Sequence, residues 1–437
     1  MPKKKTALTI EERLQQALVP AEEQPYEVPE NWVWVRLGAI AEIVTGGTPS
    51  KKHPEYYGGN FPFYKPSDLD QGRLTYDASE YLSEEGKNVS RIIPKNSTAV
   101  CCIGSIGKCG YLMCEGTTNQ QINSAIPKIN SLCLYYYLCT ENFVQDLLSM
   151  ASATTIAIVN KSKMESCAFP LPPLSEQQRI VERIEELLAK LDEAKERLQE
   201  VADSFAVRKA AILHNAFTGE LTKQWRRENG VSYESWEEKK LSEITENQDS
   251  KRIPLSKSQR DNMNRIYDYY GASGIIDKVD DYIFEGKKLL IGEDGANLVT
   301  RSKDIAFIAD GKYWVNNHAH ILDVKDTVLL MYLCNYINNM DLIPYVTGSA
   351  QPKLTQAKMN NIKIFLPTLP EQHEIVRLID DLLARERAAQ QAAEQAMASI
   401  DLMKKSILAR AFRGELGTNK ASEASALELL KQVLAEG

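Results

Sequence analysis

Two stretches decide the reading of this chain. The first is Pro172-Pro-Leu-Ser-Glu-Gln-Gln-Arg-Ile-Val-Glu-Arg-Ile-Glu-Glu-Leu-Leu188 and the second is Pro367-Thr-Leu-Pro-Glu-Gln-His-Glu-Ile-Val-Arg-Leu-Ile-Asp-Asp-Leu-Leu383. Each opens a long helical pattern. Each pattern finishes on the same close, Ala216-Phe-Thr-Gly-Glu-Leu221 and Ala411-Phe-Arg-Gly-Glu-Leu416. The offset is 371 − 176 = 195 at the start and 412 − 217 = 195 at the end, so both helical patterns have the same length. A period of that size is far too long for a solenoid repeat. It describes two half-molecules in one chain.

Each copy reads as one long helix. In the first, Ile180, Ile184, Leu187, Leu191, Ala194, Leu198, Val201, Phe205 and Ile212 step by three and four, and Arg208 interrupts the seam. In the second, Ile375, Ile379, Leu382, Ala389, Ala393, Ala396, Ile400, Met403 and Ile407 do the same, and Glu386 interrupts. The middle of the second helix is small and that of the first is larger, which permits close antiparallel packing. Ser175 with Gln178, and Thr368 with Glu371, fit capping boxes, and Gly219 and Gly414 fit helix stops. Two ordinary amphipathic helices in a bundle would be the plainer reading. The duplicated ends, which bracket a whole domain, favour the repeat.

The chain has 437 residues, 43% hydrophobic and 25% charged, as expected of a soluble globular protein with two or three domains. No apolar run of about 20 residues is present, so no membrane span is expected. The basic start, Met1-Pro-Lys-Lys-Lys, is followed by no signal-peptide core, which points to the cytoplasm. Seven of the eight cysteines lie in the first half without CxxC spacing, so free thiols are expected rather than disulfides or zinc. Net charge is −7. Acids crowd the helices, while Lys161, Lys163, Lys251, Arg252, Lys257, Arg260, Lys287, Lys288, Arg301, Lys303 and Lys353 populate the segments between. That distribution suits a DNA reader with protein partners better than the sum suggests.

The patterns divide the chain into an N-terminal helix (1–23), a first globular domain (24–172), a first spacer helix (173–217), a second domain (218–367), a second spacer helix (368–413) and a C-terminal tail helix (414–437). The expected class is α/β (α+β): two similar globular domains separated by two long antiparallel coiled-coil helices. The terminal helices fit either a partner or the chain itself. In the first domain Pro62-Phe-Tyr-Lys-Pro-Ser67, Ile103-Gly-Ser-Ile-Gly107, Thr118-Asn-Gln-Gln-Ile122, a helix 132–150 and a polar loop at 152–155 follow one another. In the second, Tyr269-Tyr-Gly-Ala-Ser-Gly274, Ile291-Gly-Glu-Asp-Gly295, Trp314-Val-Asn-Asn-His-Ala-His320, a helix 328–340 and the loop 348–353 occupy the same order. Met164 and Met359 keep the 195-residue offset.

Gly104-x-x-Gly107 and Gly292-x-x-Gly295 suit either a phosphate cradle of backbone amides or a hairpin turn. His318 and His320 suit a metal pair, but the first half has nothing similar. Asp68, Glu293 and Asp294 have the chemistry of general acids, without a second carboxylate at matching places in both halves. No ATP-binding Gly-x-x-x-x-Gly-Lys-Ser/Thr loop, no dinucleotide loop, no Asn/Asp-Pro-Pro-aromatic motif and no Gly-x-Ser-x-Gly elbow occurs. A chain of this length without a catalytic constellation reads as a binding subunit rather than an enzyme.

Duplicated Pro-x-Leu-x-Glu-Gln helices ending in Ala-Phe-x-Gly-Glu-Leu, with a variable domain before each, resemble the specificity subunit of type I restriction–modification enzymes. The resemblance covers nearly the whole chain. The first domain departs from the usual Gly-Ser-x-Gln loop with Ser152-Ala-Thr-Thr-Ile-Ala157. The resemblance implies two target-recognition domains, each reading half of a split double-stranded DNA site. It also implies helices that set the gap and bind two modification (methyltransferase) subunits, joined by restriction (translocase/nuclease) subunits. S-adenosylmethionine, and ATP with magnesium, then belong to the partners. The polar residues placed to touch DNA are Lys65, Ser67, Ser105, Lys108, Gln120, Gln121, Thr155 and Lys163 in the first domain. In the second they are Tyr270, Ser273, Arg301, Asn316, His318, Gln351 and Lys353. The reading from another class is a non-catalytic coiled-coil adaptor that joins two protein partners.

Overall fold

The computed structural model describes residues 9–71, 74–152, 157–348 and 350–436. They form two compact units, one of residues up to Arg197 together with those from Ala396, the other Leu198–Gln395. Each unit mixes strands and helices, and each is built on the same plan.

In the first unit, Val33–Arg36 pairs antiparallel with Ala168–Leu171, the strand just before the long helix. Buried Trp34, Val35, Phe169 and Leu171 make that ribbon part of the core, and Pro172 and Pro173 end it. A five-stranded sheet runs in the order Ala41–Thr45, Ile122–Pro127, Thr98–Cys101, Cys109–Leu112, Leu74–Thr75. A three-stranded sheet places Tyr57–Tyr64 between Glu80–Leu82 and Thr117–Thr118. The helical pattern over 132–150 is two helices, Ser131–Leu138 and Glu141–Ser149, because Thr140 caps the second by accepting from the Phe143 amide.

The second unit repeats the ribbon as Glu237–Lys240 with Lys363–Leu366. Its two four-stranded sheets follow the orders Glu246–Asn247, Ala319–Asp323, Lys288–Gly292, Ala306–Ala309 and Gly274–Val279, Tyr267–Gly271, Lys312–Val315, Phe284–Glu285. A parallel pairing recurs in both units. Phe63 and Tyr64 stand beside Thr117 and Thr118, as Tyr269 and Tyr270 stand beside Trp314 and Val315.

The first long helix runs Leu174–Asp203 and continues as Phe205–Phe217 after a one-residue interruption at Ser204, where the sequence pattern reads as continuous. The second runs unbroken over the 43 residues Leu369–Ala411. At about 1.5 Å per residue that is roughly 65 Å. Ile180, Val181, Ile184 and Leu188, and their counterparts Ile375, Val376, Ile379 and Leu383, are buried in the cores of their own units. The helices pair antiparallel within each unit. Lys195 reaches Asp401 at 2.7 Å and Lys404 reaches Asp192, while in the other unit Arg208 Nε meets Glu386 Oε2 at 2.5 Å. The two residues that break the seams are therefore each other's partners. Val201, placed on the seam by its spacing, is exposed.

The terminal helices Ile10–Ala17 and Ala426–Glu436 pack on the first unit, and Arg13 Nη1 donates to the Leu434 carbonyl at 3.1 Å. The capping boxes expected at Ser175 and Thr368 are absent: Ser175 lies inside a helix that begins at Leu174, and Thr368, which does precede Leu369, has no hydrogen-bond partner among the described residues on its buried Oγ1. The amides of Glu176 and Gln177 donate to the Pro173 carbonyl instead.

Candidate nucleic-acid interface

The residues most repeated in the sequence turn out to be structural. Glu176 is fully buried and accepts from Trp32 Nε1 (2.7 Å), Asn419 Nδ2 (2.8 Å) and Thr418 Oγ1 (3.2 Å). Glu371 is its equivalent and accepts from Trp236 Nε1 (3.0 Å), Thr222 Oγ1 (2.7 Å) and Arg226 Nη1 (2.6 Å). Gln177 and Gln372 donate back to the carbonyls of Pro172 and Pro367. Each carboxylate thus ties the start of one copy's helix to the segment that follows the close of the other copy. Gly219 and Gly414 sit there with φ of 79° and 75°, and a side chain at Gly414 would strike Pro29.

Beyond this lock, each domain builds one frame of hydrogen bonds around its polar loops. In the first domain the Asn119 amide donates to the Tyr64 carbonyl (3.0 Å), and Asn119 Oδ1 accepts from the Gln121 amide (3.0 Å). The Gln121 carbonyl accepts from the Cys102 amide (2.7 Å), and the Cys102 carbonyl from the Val159 amide (2.9 Å). In the second domain Asn316 and Tyr270 (3.1 Å), His318 and Asn316 (2.8 Å), Glu293 and His318 (2.9 Å), and Leu354 and Glu293 (2.8 Å) make the same four bonds. The frame ends on Asn123 Nδ2 donating to the Val159 carbonyl (3.4 Å) and on His320 Nε2 donating to the Leu354 carbonyl (2.7 Å).

Around this frame the expected contact residues separate into two groups. Ser105 and Gln120 are exposed, Gln121 is half-buried and accepts from Asn119 Nδ2, and Ser67 is exposed on a short 3-10 turn. Lys65 pairs with Glu80 at 2.9 Å, Lys108 with Asp70 at 2.6 Å, and Lys163 Nζ donates to Ser152 Oγ at 2.9 Å. Thr155 lies outside the described residues. In the second domain Ser273 and Gln351 are exposed, and Lys353 reaches Glu293 at 3.1 Å while remaining half exposed. His318 is half exposed with Nδ1 on Asp294 at 2.8 Å, which leaves Nε2 outward.

Three residues belong inside the domain instead. Tyr270 packs its ring against Phe307 and Tyr313, and burial raises its hydroxyl pKa. Arg301 donates to the carbonyls of Asn338 (2.9 Å) and Met340, closing the end of the helix Thr327–Asn339. Asn316 is buried and shapes the turn that presents His318. The polar atoms of Arg301 and Asn316 serve backbone groups and the Tyr270 ring serves the core, which the sequence pattern could not distinguish from surface polarity.

The Gly104–Gly107 stretch is a hairpin turn with both glycines left-handed, and its amides at Ile106 and Gly107 bond within the turn. Asp68 accepts from the amides of Lys65 and Ser79, so it is a buried cap. Asp249, Glu293 and His320 bring ligand atoms within 4.8 Å of one another. Arg252 and Lys353 already pair with those carboxylates, so the positive charge there comes from side chains. Burial would raise both carboxyl groups, but His320, the Ile321 amide and Arg252 outweigh it at Asp249, and Arg252, His320 and Lys353 outweigh it at Glu293. Both stay below the usual carboxylate range.

The profile of the type I restriction modification DNA specificity domain matches residues 29–203 and 233–395. The chain belongs to that family. The Escherichia coli type I restriction enzyme EcoDI specificity subunit is 26% identical over 452 residues, spanning 94% of this chain and 96% of that one. A Haemophilus influenzae protein carrying the name type I restriction enzyme specificity subunit S.HindORF215P is 40% identical over 147 residues. That match spans 33% of this chain and 37% of the relative. A solved chain from work on complex assembly and conformational transition of a type I R-M system superposes with a TM-score of 0.66 at 17% identity. It covers 90% of this chain and all of the other, and shows the shared fold. For this family, the twice-matched profile coincides with the twice-built frame. Among the described residues, no helix is long and apolar enough to cross a membrane.

Proposed function

We propose that the domains spanning 24–172 and 218–367 each read one half of a split double-stranded DNA site. The paired long helices set the gap and recruit two modification (adenine methyltransferase) subunits. Restriction subunits join that assembly, and S-adenosylmethionine, ATP and magnesium serve the partners. The complex acts in the cytoplasm. The observation that carries this reading is the frame itself. The same four hydrogen bonds, three between backbone groups and one to an Asn side chain, are rebuilt in both domains, but the side chains they present differ: Gln120, Gln121 and Ser105 in one, His318, Gln351 and Lys353 in the other. A shared scaffold with divergent polar tips suits two different base sequences. The name of the EcoDI relative, a specificity subunit of a type I restriction enzyme, agrees with it.

The test uses the full chain with candidate methyltransferase subunits and a DNA library varied in both half-sites, at two salt concentrations. Enrichment of two fixed half-sites around an unread gap is the expected result. Gln351→Ala or His318→Ala should relax one position of one half-site by about 1–3 kcal/mol and leave the other half-site alone. Binding to no DNA while both protein partners are held would favour the adaptor. Methyl transfer by the chain alone would overturn its assignment as non-catalytic.

A further inference from the structure

The two domains close the same frame with different chemistry. In the first, the anchor is neutral: Thr45 Oγ1 donates to Asn123 Oδ1 (2.8 Å), and Asn123 Nδ2 donates to the Val159 carbonyl (3.4 Å). In the second it is ionic. His320, 1% exposed, has Nε2 on the Leu354 carbonyl (2.7 Å) and Nδ1 on Asp249 Oδ2 (2.6 Å), with Glu293 Oε2 at 3.7 Å. A carbonyl only accepts, so Nε2 carries a proton. Asp249 accepts the Ile321 amide (2.9 Å) and faces Arg252 at 3.4 Å, so it is the carboxylate and Nδ1 carries a proton as well. His320 is doubly protonated in this arrangement.

The segment held by this histidine carries Gln351 and Lys353. The Leu354 amide donates to the Glu293 carbonyl (2.8 Å), and the Gly295 amide donates to the Pro352 carbonyl (3.1 Å). Thr347 and Lys353 exchange both of their backbone bonds at 2.8 Å. Arg252 grips Glu293 Oε2 and the Ala319 carbonyl, both at 2.7 Å, and Lys353 Nζ meets Glu293 Oε1 at 3.1 Å. One buried network therefore holds the strand, the Gly292–Gly295 turn and the 351–354 segment together.

We propose that His320, with Asp249, is a positioning residue that sets the 351–354 segment for DNA in the second domain, the role Asn123 fills in the first. This inference rests on the reading that Gln351 and Lys353 touch DNA. Without His320 the Leu354 carbonyl, on a fully buried residue, loses its side-chain donor, and Asp249 loses its closest partner. The bonds that fix the segment then compete with solvent.

The experiment compares the full chain with His320→Leu, His320→Asn and the double variant that combines His320→Asn with Asp249→Asn. In the single Asn variant the new amide oxygen faces a carboxylate. In the double variant the carboxamide introduced at position 249 can donate to that oxygen, which rebuilds the neutral anchor of the first domain. Two readouts are taken, amide exchange over 347–354 without DNA and half-site-resolved library binding with the methyltransferase subunits. In His320→Leu, exchange over 347–354 should rise and affinity for one half-site should fall about 10-fold, the loss of one buried hydrogen bond. The other half-site should be unaffected. The double variant should recover to within about 3-fold of the parent and the single Asn variant should not, a difference that overall destabilisation does not produce. Nitrogen resonances of the His320 ring in the parent chain should report two protonated positions. Unchanged exchange in His320→Leu, or no recovery in the double variant, overturns the proposal. If exchange rises and recovers as expected while both half-sites are bound normally, the positioning of the segment stands. The reading that it touches DNA then falls.

Discussion

Replacing Glu371 by Ala should damage this protein more than replacing Glu176 by Ala, although the two occupy one position of the repeat. Both carboxylates are fully buried, so neither loss is softened by water at the site. The difference lies in what remains. Removing Glu176 strands three neutral donors, Trp32 Nε1, Thr418 Oγ1 and Asn419 Nδ2. An unmet buried donor costs about 1–3 kcal/mol, and Thr418 and Asn419 can turn to other acceptors. Removing Glu371 strands Trp236, Thr222 and the Arg226 guanidinium, whose side chain is 9% exposed. A buried charge left without its partner costs about 3–5 kcal/mol. Arg226 keeps the Gly219 carbonyl (2.6 Å) and the face of Tyr233, which hold the cost toward the lower end. Against a total stability of about 5–15 kcal/mol, that is a large fraction. Two compact units give no assurance of a single transition, so unfolding should be followed in urea by hydrogen exchange resolved to peptides of each unit. Glu371→Ala should lower the midpoint for peptides of 198–395 more than Glu176→Ala lowers it for the other unit. Glu371→Leu with Arg226→Met should be far less harmful than the sum of the single changes, since both members of the charge pair leave together. Equal losses from the two alanine variants, or strict additivity in the double variant, would refute the argument.

The Arg208–Glu386 pair corresponds in the repeat to Met403 and Leu191, since 208 + 195 = 403 and 191 + 195 = 386. With side chains 34% and 23% exposed, losing one partner should cost only about 1 kcal/mol. Arg208→Met with Glu386→Leu should be neutral or stabilising by thermal denaturation, and a large loss would assign the pair a role beyond stability. Inserting one heptad near Ala194 and another near Ala389 preserves the seam and adds about 10 Å, roughly three base steps, so methylome sequencing should show the old half-sites with a longer gap. New half-sites with the old gap would discard the ruler. Asp249 and Glu293 are held below the ordinary carboxylate range. Their contribution to stability is present above that range and is lost as pH falls through the depressed native values. Exchange protection at His320, corrected for intrinsic rate, should therefore drop in acid before that at Asn123, whose neutral anchor does not titrate. Parallel loss in the two peptides would contradict it.

Local periodicity and self-similarity carried much of the architecture. A helix writes its buried face every three or four residues, so the seams, both helix starts and the 195-residue offset were readable along the chain. Even the polar breaks at Arg208 and Glu386 were visible, because a charge on an apolar seam stands out against its neighbours. That the two complement each other is a fact of antiparallel pairing, which brings together residues 178 apart in sequence. The same holds for the motif carboxylates. Glu371 fitted a capping box from its spacing and Glu176 is its repeat equivalent, but their partners lie 144 and 135 residues away at Trp32 and Trp236. Only chain reversal puts an indole N–H beside each, and a fully buried carboxylate must take such donors. At the candidate interface, the order of Asn-Gln-Gln and Asn-Asn-His stretches gave the matching places but not the roles. Asn316, Tyr270 and Arg301 have the same polarity as a base reader. Tertiary burial turned them toward backbone carbonyls, backbone amides and core rings, because in the interior each polar group needs a partner and the nearest were within the fold. His320 separated from His318 for the same reason. Two residues apart, one is enclosed between Asp249 and Leu354 and the other stands at the surface beside Asp294, and no property of the pentapeptide Asn-His-Ala-His-Ile distinguishes them.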